Sequence, residues 1–209
     1  MSLITTMTKE LLQAGLLRDS FQWRLSSGDA VALTFDDGPH PVHTPRVLDV
    51  LARHGVKATY FLVGERAARC PKLVERIFAE GHGLASHTYT HRELPRLRRE
   101  ELEWELATTR MLLREMTGRD SNLVRPPRGR ISPLVLLRIR SLGYRLVHWS
   151  RTYSDYLQDG REALLQRVMA EPPVARDIIL LHDNNPYTGE ALHEILPRWL
   201  EAGLRFAAI

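Results

Sequence analysis

The sequence predicts an α/β fold of parallel strands with helices outside, either an open sheet or a barrel, and three observations carry that prediction. Strand-like and helix-like segments alternate from residue 30 to the end of the chain. No linker, repeat or low-complexity stretch divides the 209 residues. Every cluster of chemically distinctive residues follows directly on a strand-like run, the edge at which sites assemble in parallel α/β folds.

An amphipathic piece at 8–17 leads into the series. The first strand, 30–35, contains the apolar run Val31-Ala32-Leu33 and is stopped by the turn-forming pair Gly38-Pro39. Val47, Leu48 and Leu51 have helical spacing within 44–54. A second strand, 58–63, is followed by a helix at 71–80 that opens on Pro71, a favoured first helical residue. The short strand 83–86 precedes a helix at 99–117, with Leu102, Leu106 and Leu113 on one face and Gly118 beyond its end. Strands 123–125 and 145–148 flank a helix at 133–142, after which come helix 162–170, strand 177–181, helix 189–202 and strand 204–208. Seven strands result, in one domain spanning 1–209 whose motif-bearing part is about 30–206.

With 44% hydrophobic and 26% charged residues, the chain has the composition and length for one sizeable core. The net charge is +4, and only three basic residues are lysines, Lys9, Lys57 and Lys72. The densest basic run, 96–99, adjoins Glu100, Glu101 and Glu103 without interleaved aromatics, so it reads as a solvated helix face and no nucleic-acid partner is expected. Cys70 is the only cysteine, which excludes an intrachain disulfide and a thiol-rich metal site. No stretch approaches ~18 consecutive apolar residues, so no membrane-spanning segment is expected. The N-terminus shows no basic region followed by an apolar one; the chain as given is expected in the cytoplasm, with an exported form as the alternative if a leader has been removed.

The stretch Thr34-Phe35-Asp36-Asp37-Gly38-Pro39 ends a strand with two adjacent acids. Neighbouring strand residues point to opposite faces, so two acids serve one site only where the backbone bends at a strand end. That arrangement suits one acid for a metal and the other for proton transfer. In His87-Thr88-Tyr89-Thr90-His91 two imidazoles stand four residues apart, the spacing that faces them the same way on one helical turn. Two histidines and one aspartate make a three-ligand set with an open position, which belongs to a hydrolytic and not to a structural metal. Gly81-His82-Gly83 lacks the spacing and the lysine of a phosphate-binding loop.

These residues resemble the polysaccharide deacetylase family, metal-dependent carbohydrate esterases that remove N- or O-acetyl groups from sugar polymers. Besides the two motifs above, the likeness includes 58–64, Arg125-Pro126-Pro127-Arg128-Gly129 and Leu180-Leu181-His182-Asp183, and it runs from about Val31 to Phe206. The resemblance implies a distorted (β/α) barrel with about seven parallel strands. It implies that Asp37, His87 and His91 bind a divalent ion, zinc first, with cobalt, nickel, iron or manganese as alternatives. It gives Asp36 as general base, His182 as general acid and Asp155 as the acid that orients and charges His182, a division of labour that metal-assisted hydrolysis requires.

By the same resemblance Arg125 pairs with Asp36, and the backbone N–H of Arg128 faces the oxyanion, a donor of the kind that contributes ~3 kcal/mol. Leu180 and Trp149 form an apolar slot for the acetyl methyl, and Tyr156 forms a groove wall. Three positions depart from the family pattern. Thr152 stands where an aspartate usually braces the arginine, Tyr156 follows Asp155 in place of tryptophan, and Arg128 replaces an aromatic. A guanidinium at the mouth favours an acidic or phosphorylated sugar. The expected partner is an acetylated sugar, oligosaccharide or glycolipid; the alternatives are an amidohydrolase on a small non-sugar C–N substrate, and a degenerate barrel that binds sugar or metal without turnover. Oligomeric state is left open.

Overall fold

Strand alternation sets the architecture of the chain, whose computed structural model describes residues 20–209. The helical expectation at 8–17 lies outside the described residues. Eight strands are present among the described residues: β1 (Phe21–Gln22), β2 (Ala32–Asp36), β3 (Thr59–Leu62), β4 (Gly83–Ser86), β5 (Leu123–Val124), β6 (Arg145–Val147), β7 (Arg151–Thr152) and β8 (Ile178–His182). They form one sheet in the order β1-β6-β5-β4-β3-β2-β8-β7, and every ladder is parallel. Seven helices connect them: α1 (His43–Arg53), α2 (Gly64–Arg69), α3 (Pro71–Ala79), α4 (Arg99–Thr117), α5 (Pro133–Ser141), α6 (Arg161–Ala170) and α7 (Pro186–Glu201).

The barrel closes through one bent run. β6 pairs with β1 and β5, whereas β7, separated from it only by His148, Trp149 and Ser150, pairs with β8 at the far side of the sheet. Residues 145–152 thus belong to both sides, and the sheet curls into a distorted barrel. Period-two alternation then sorts the side chains. Leu33, Phe35, Ile179 and Leu181 point outward and pack with Val47, Leu48 and Leu51 of α1 and Leu192 and Leu196 of α7. Val124 and Leu146 pack outward on Leu102 and Leu106 of α4 and Leu136 and Ile139 of α5. Ala32, Phe61, Ala85, Leu123, Val147 and Ile178 fill the interior. Each fully buried Leu or Ile of these layers contributes roughly 1.5–3 kcal/mol of transfer free energy.

The structure corrects the predicted element list in four places. The strand expected at 204–208 is reduced to a bridge between Val31 and Phe206, because β2 is already flanked by β8 from Ala32 and by β3 from Thr34. β1 and β7 are two-residue strands without an apolar run, and they raise the expected seven to eight. α2 was not expected. α7 begins at Pro186 and not at 189, since Asn185 caps it by accepting the N–H groups of Tyr187 and Thr188 at 3.0 Å each.

Candidate metal centre and its flanking acid and base

The predicted site residues lie on the carboxyl halves of the strands and on the segments that follow them. On β2, Ala32, Thr34 and Asp36 share the inner face, so Asp36 is the innermost acid and is buried. Asp37 would point outward on a continuing strand. Instead its backbone enters the left-handed region at φ 70°, which swings the carboxylate back over the barrel mouth. Gly38 follows with no room for a side chain: a Cβ there would lie 2.4 Å from the carboxylate oxygens of Asp183. Asp183 is itself fully buried, accepts the Thr44 hydroxyl at 2.5 Å, and is pushed up to about 7 by burial.

His87 and His91 are brought together by a loop and not by the helical turn that their spacing suggested. Residues 87–91 are non-helical, and Thr88 (φ 67°) and His91 (φ 61°) both adopt left-handed backbone. The result serves the same end. Asp37 Oδ1 lies 3.0 Å from His91 Nε2 and 3.6 Å from His87 Nε2, and one donor atom from each residue falls within 4.8 Å of the others. His87 Nδ1 is 2.8 Å from the Arg125 carbonyl, an acceptor only, so Nδ1 carries the proton and the Nε2 lone pair faces inward. That lone pair looks at Asp37 Oδ1 and, at 3.7 Å, at Asp36 Oδ2. The His87 lone pair facing two carboxylate oxygens across a buried space, with no hydrogen-bond donor to Asp37 Oδ1 among the described residues, fits a cation.

The electrostatics agree. Burial pushes the Asp37 carboxyl up, but the contact with His91 and the nearby His87 and His182 outweigh it and hold it well below the usual carboxylate range. Burial lowers the pKa of His87 against the opposing pull of Asp36 and Asp37. An ionised carboxylate and a neutral imidazole are the forms that ligate. The rest of Asp37 is tied down: Asn184 donates to Oδ2 at 3.3 Å, and Arg66 donates to the backbone carbonyl.

Arg125 lies entirely inside the barrel, 4.0 Å from the Phe61 ring. Its Nη1 donates to Asp36 Oδ1 at 2.7 Å and to the Thr34 hydroxyl at 2.8 Å; Nε and Nη2 donate to the carbonyls of Val147 and His148 at 3.3 and 3.1 Å. The brace that seemed lost at Thr152 is therefore supplied differently. Thr152 is exposed on β7, and Thr34 with two carbonyls of the bent run takes the place of a second carboxylate.

Across the mouth, His182 closes the inner face of β8. Its Nδ1 is 2.8 Å from Asp155 Oδ1, and its backbone N–H donates to Asp155 Oδ2 at 2.6 Å. Asn185 and Thr188 also donate to Oδ2, at 3.2 and 2.9 Å. Burial alone would lower the pKa of His182, but the bond to Asp155, with the charges of Asp155, Asp36 and Asp37, raises it to about 9. Tyr156 is 58% exposed with its ring edge-on to His182 at 6.0 Å.

Leu180 shares the inner face of β8 with Ile178 and His182, and Trp149 packs against the interior cluster. Gly129, at φ 64°, presses on Trp149 so closely that a Cβ would fall 2.5 Å from the indole. Arg128 has φ 56°; its backbone N–H has no hydrogen-bond acceptor among the described residues, whereas those of Gly129 and Arg130 close onto Pro126 and Pro127. The Arg128 guanidinium is 70% exposed and pairs with Glu93 at 3.2 Å, as do Arg96 at 3.0 Å and Arg130 at 3.5 Å.

Thr34, Arg66 and Asn184 were not singled out in the sequence. Asn184 lies two residues beyond His182 and Thr34 is the inner residue one pleat below Asp36, which are the signals that would have found those two.

A parallel α/β barrel with a two-histidine, one-aspartate cluster at its carboxyl edge, beside an aspartate braced by arginine and a histidine paired with an acid, is an arrangement suited to metal-assisted hydrolysis. More narrowly, the chain belongs to the polysaccharide deacetylase family, whose model, described as "Polysaccharide deacetylase", matches residues 25–147. It is 34% identical over 193 residues to a peptidoglycan-N-acetylglucosamine deacetylase of Bacillus cereus, covering 90% of each chain. It is 40% identical over 158 residues to a chitooligosaccharide deacetylase of Sinorhizobium fredii, covering 75% of this chain and 73% of that one. Among solved structures, a peptidoglycan N-acetylglucosamine deacetylase in complex with 4-naphthalen-1-yl-N-oxidanyl-benzamide superposes with a TM-score of 0.87 at 30% identity, covering 94% of each chain. No helix among the described residues is long and apolar enough to cross a membrane.

Proposed function

We propose that this chain is a metal-dependent deacetylase that hydrolyses the acetamide of an N-acetylated sugar within a glycan or oligosaccharide. The observation that supports it most directly is the triad Asp37, His87 and His91 beside Asp36, whose second oxygen is left free of Arg125. Asp37, His87 and His91 would hold a divalent cation, zinc first, which would supply Lewis acidity to the acetyl carbonyl and to the attacking water. Asp36 takes the proton of that water through Oδ2, while Arg125 fixes Oδ1. The Arg128 backbone N–H donates to the developing oxyanion. His182, held by Asp155 through Nδ1, delivers a proton from Nε2 to the departing amine. Trp149 and Leu180 receive the methyl, and Tyr156 lies along the sugar. The two curated relatives above act, by their names, on peptidoglycan N-acetylglucosamine and on chitooligosaccharide, and both substrate types are the first to test.

The test is acetate release from chitooligosaccharides and from N-acetylated peptidoglycan, after the metal content has been measured. Activity is expected to vanish on chelation, return with Zn2+, and fall by about 10²–10⁴ in Asp36→Asn with Zn2+ still bound. Metal binding without turnover on any acetylated glycan or amide would leave a binding module in its place.

A further inference from the structure

Glu105 is an acid in the wrong place for a solvated helix. It sits on the apolar face of α4 between Leu102 and Leu106 and is 1% exposed. No cationic side chain pairs with it among the described residues. What it meets is the backbone of the histidine loop: the N–H groups of Tyr89 and Thr90 donate to Oε2 at 2.7 and 2.8 Å, and the Thr90 hydroxyl donates to Oε1. A carboxylate buried on neutral donors alone loses its hydration, and these three hydrogen bonds are what offsets that loss.

The loop it holds is itself uphill. Left-handed backbone at a β-branched residue such as Thr88, and again at His91, is unfavourable and persists only where the surroundings over-determine it. Those two reversals are what turn His87 and His91 toward the same atom of Asp37. The other loop amides are satisfied by short local hydroxyl bonds, Thr88 N–H to Ser86 and His91 N–H to Thr88, both at 3.1 Å. On the opposite side the carbonyls of Thr88 and Tyr89 accept from the first amides of α2, Gly64 at 2.9 Å and Glu65 at 3.0 Å. Gly64 has no space for a Cβ, which would lie 2.3 Å from the Tyr89 ring. The loop is therefore gripped between the start of α2 and one carboxylate.

We infer that Glu105 is a positioning residue of the metal centre, whose carboxylate clamps Tyr89 and Thr90 so that both histidine Nε2 atoms face Asp37. The inference rests on the metal reading above. It is tested on metal-free protein by Zn2+ titration against a chromogenic chelator, with circular dichroism and urea unfolding run beside it. Glu105→Ala is expected to weaken Zn2+ binding by about 10- to 100-fold while remaining folded. Glu105→Gln keeps one accepting oxygen and falls between it and wild type, and Thr90→Val, which removes only the hydroxyl bond, shows the smallest loss. Should Glu105→Ala not fold, the Gln and Val variants decide. Folded Glu105 and Thr90 variants that bind Zn2+ as wild type does overturn the inference alone. A wild-type protein that binds Zn2+ no better than Asp37→Ala overturns the metal reading and this inference with it.

Discussion

The two halves of the site use the same device, an acid paired with a cationic side chain, in two different settings. Asp36 and Arg125 lie within the barrel, shut from solvent, with the guanidinium also tied to Thr34 and to two backbone carbonyls. Asp155 and His182 lie at the rim, where the histidine side chain is 13% exposed. The cation of the inner pair is a guanidinium, which stays charged and is locked onto four acceptors in a dry space. The cation of the outer pair is an imidazole, which titrates and faces an open mouth. The inner cation therefore serves as fixed geometry, whereas the outer one can change its charge.

The strongest way to break this contrast is Arg125→Met. It strands Asp36 and two carbonyls in the interior, and a loss of about 3–5 kcal/mol in urea unfolding is expected, together with loss of activity. Next comes Asp155→Asn, which should leave the fold intact and change protonation instead. In metal-free wild type the His182 imidazole, followed by NMR, is expected to titrate near 9; without the Asp155 charge, burial dominates and the value falls to or below 6.5. The sign follows: because the folded value lies above 6.5, the pair's stabilisation is complete below pH 6.5 and is lost as pH rises through about 9. If His182 is the proton donor proposed above, turnover is expected to fall over the same upper limb.

Thr34→Val tests whether the inner pair needs its hydroxyl. It removes one acceptor of Arg125 and the donor to Ile179 O, so a loss of about 0.5–1.5 kcal/mol per bond and a modest drop in turnover are expected. Arg128→Ala has the smallest effect. Glu93 keeps Arg96 and Arg130, stability by thermal melting should barely move, and acetate release from an acidic glycan should fall more than from a neutral one.

How much of this was legible in the sequence divides along the same line. Several chemistry-bearing residues announce themselves because they end or directly follow a strand, and period-two alternation sends Asp36, Arg125 and His182 inward without further information. The α4 boundaries, 99–117, were also readable from Leu spacing and Gly118, whose φ of 70° ends the helix. What could not be read was tertiary. Spacing of four suggested a helical turn for His87 and His91, but the left-handed backbone of Thr88 and His91 depends on partners from α2 and α4. The apparent loss of a brace at Thr152 was a local reading, whereas Arg125 finds acceptors on β2 and on the bent run. β7 is two polar residues and pairs only because the barrel brings β8 beside it.

The bent run at 145–152 has a last consequence, for how this scaffold tolerates change in length. Loops elsewhere on the rim can grow or shrink and remodel what a sugar chain touches, since none of them sets the circumference. One residue gained or lost among His148, Trp149 and Ser150 would instead rotate the indole out of the bore and withdraw a carbonyl from Arg125 at the same stroke. Girth and reactivity are thereby written into the same three positions.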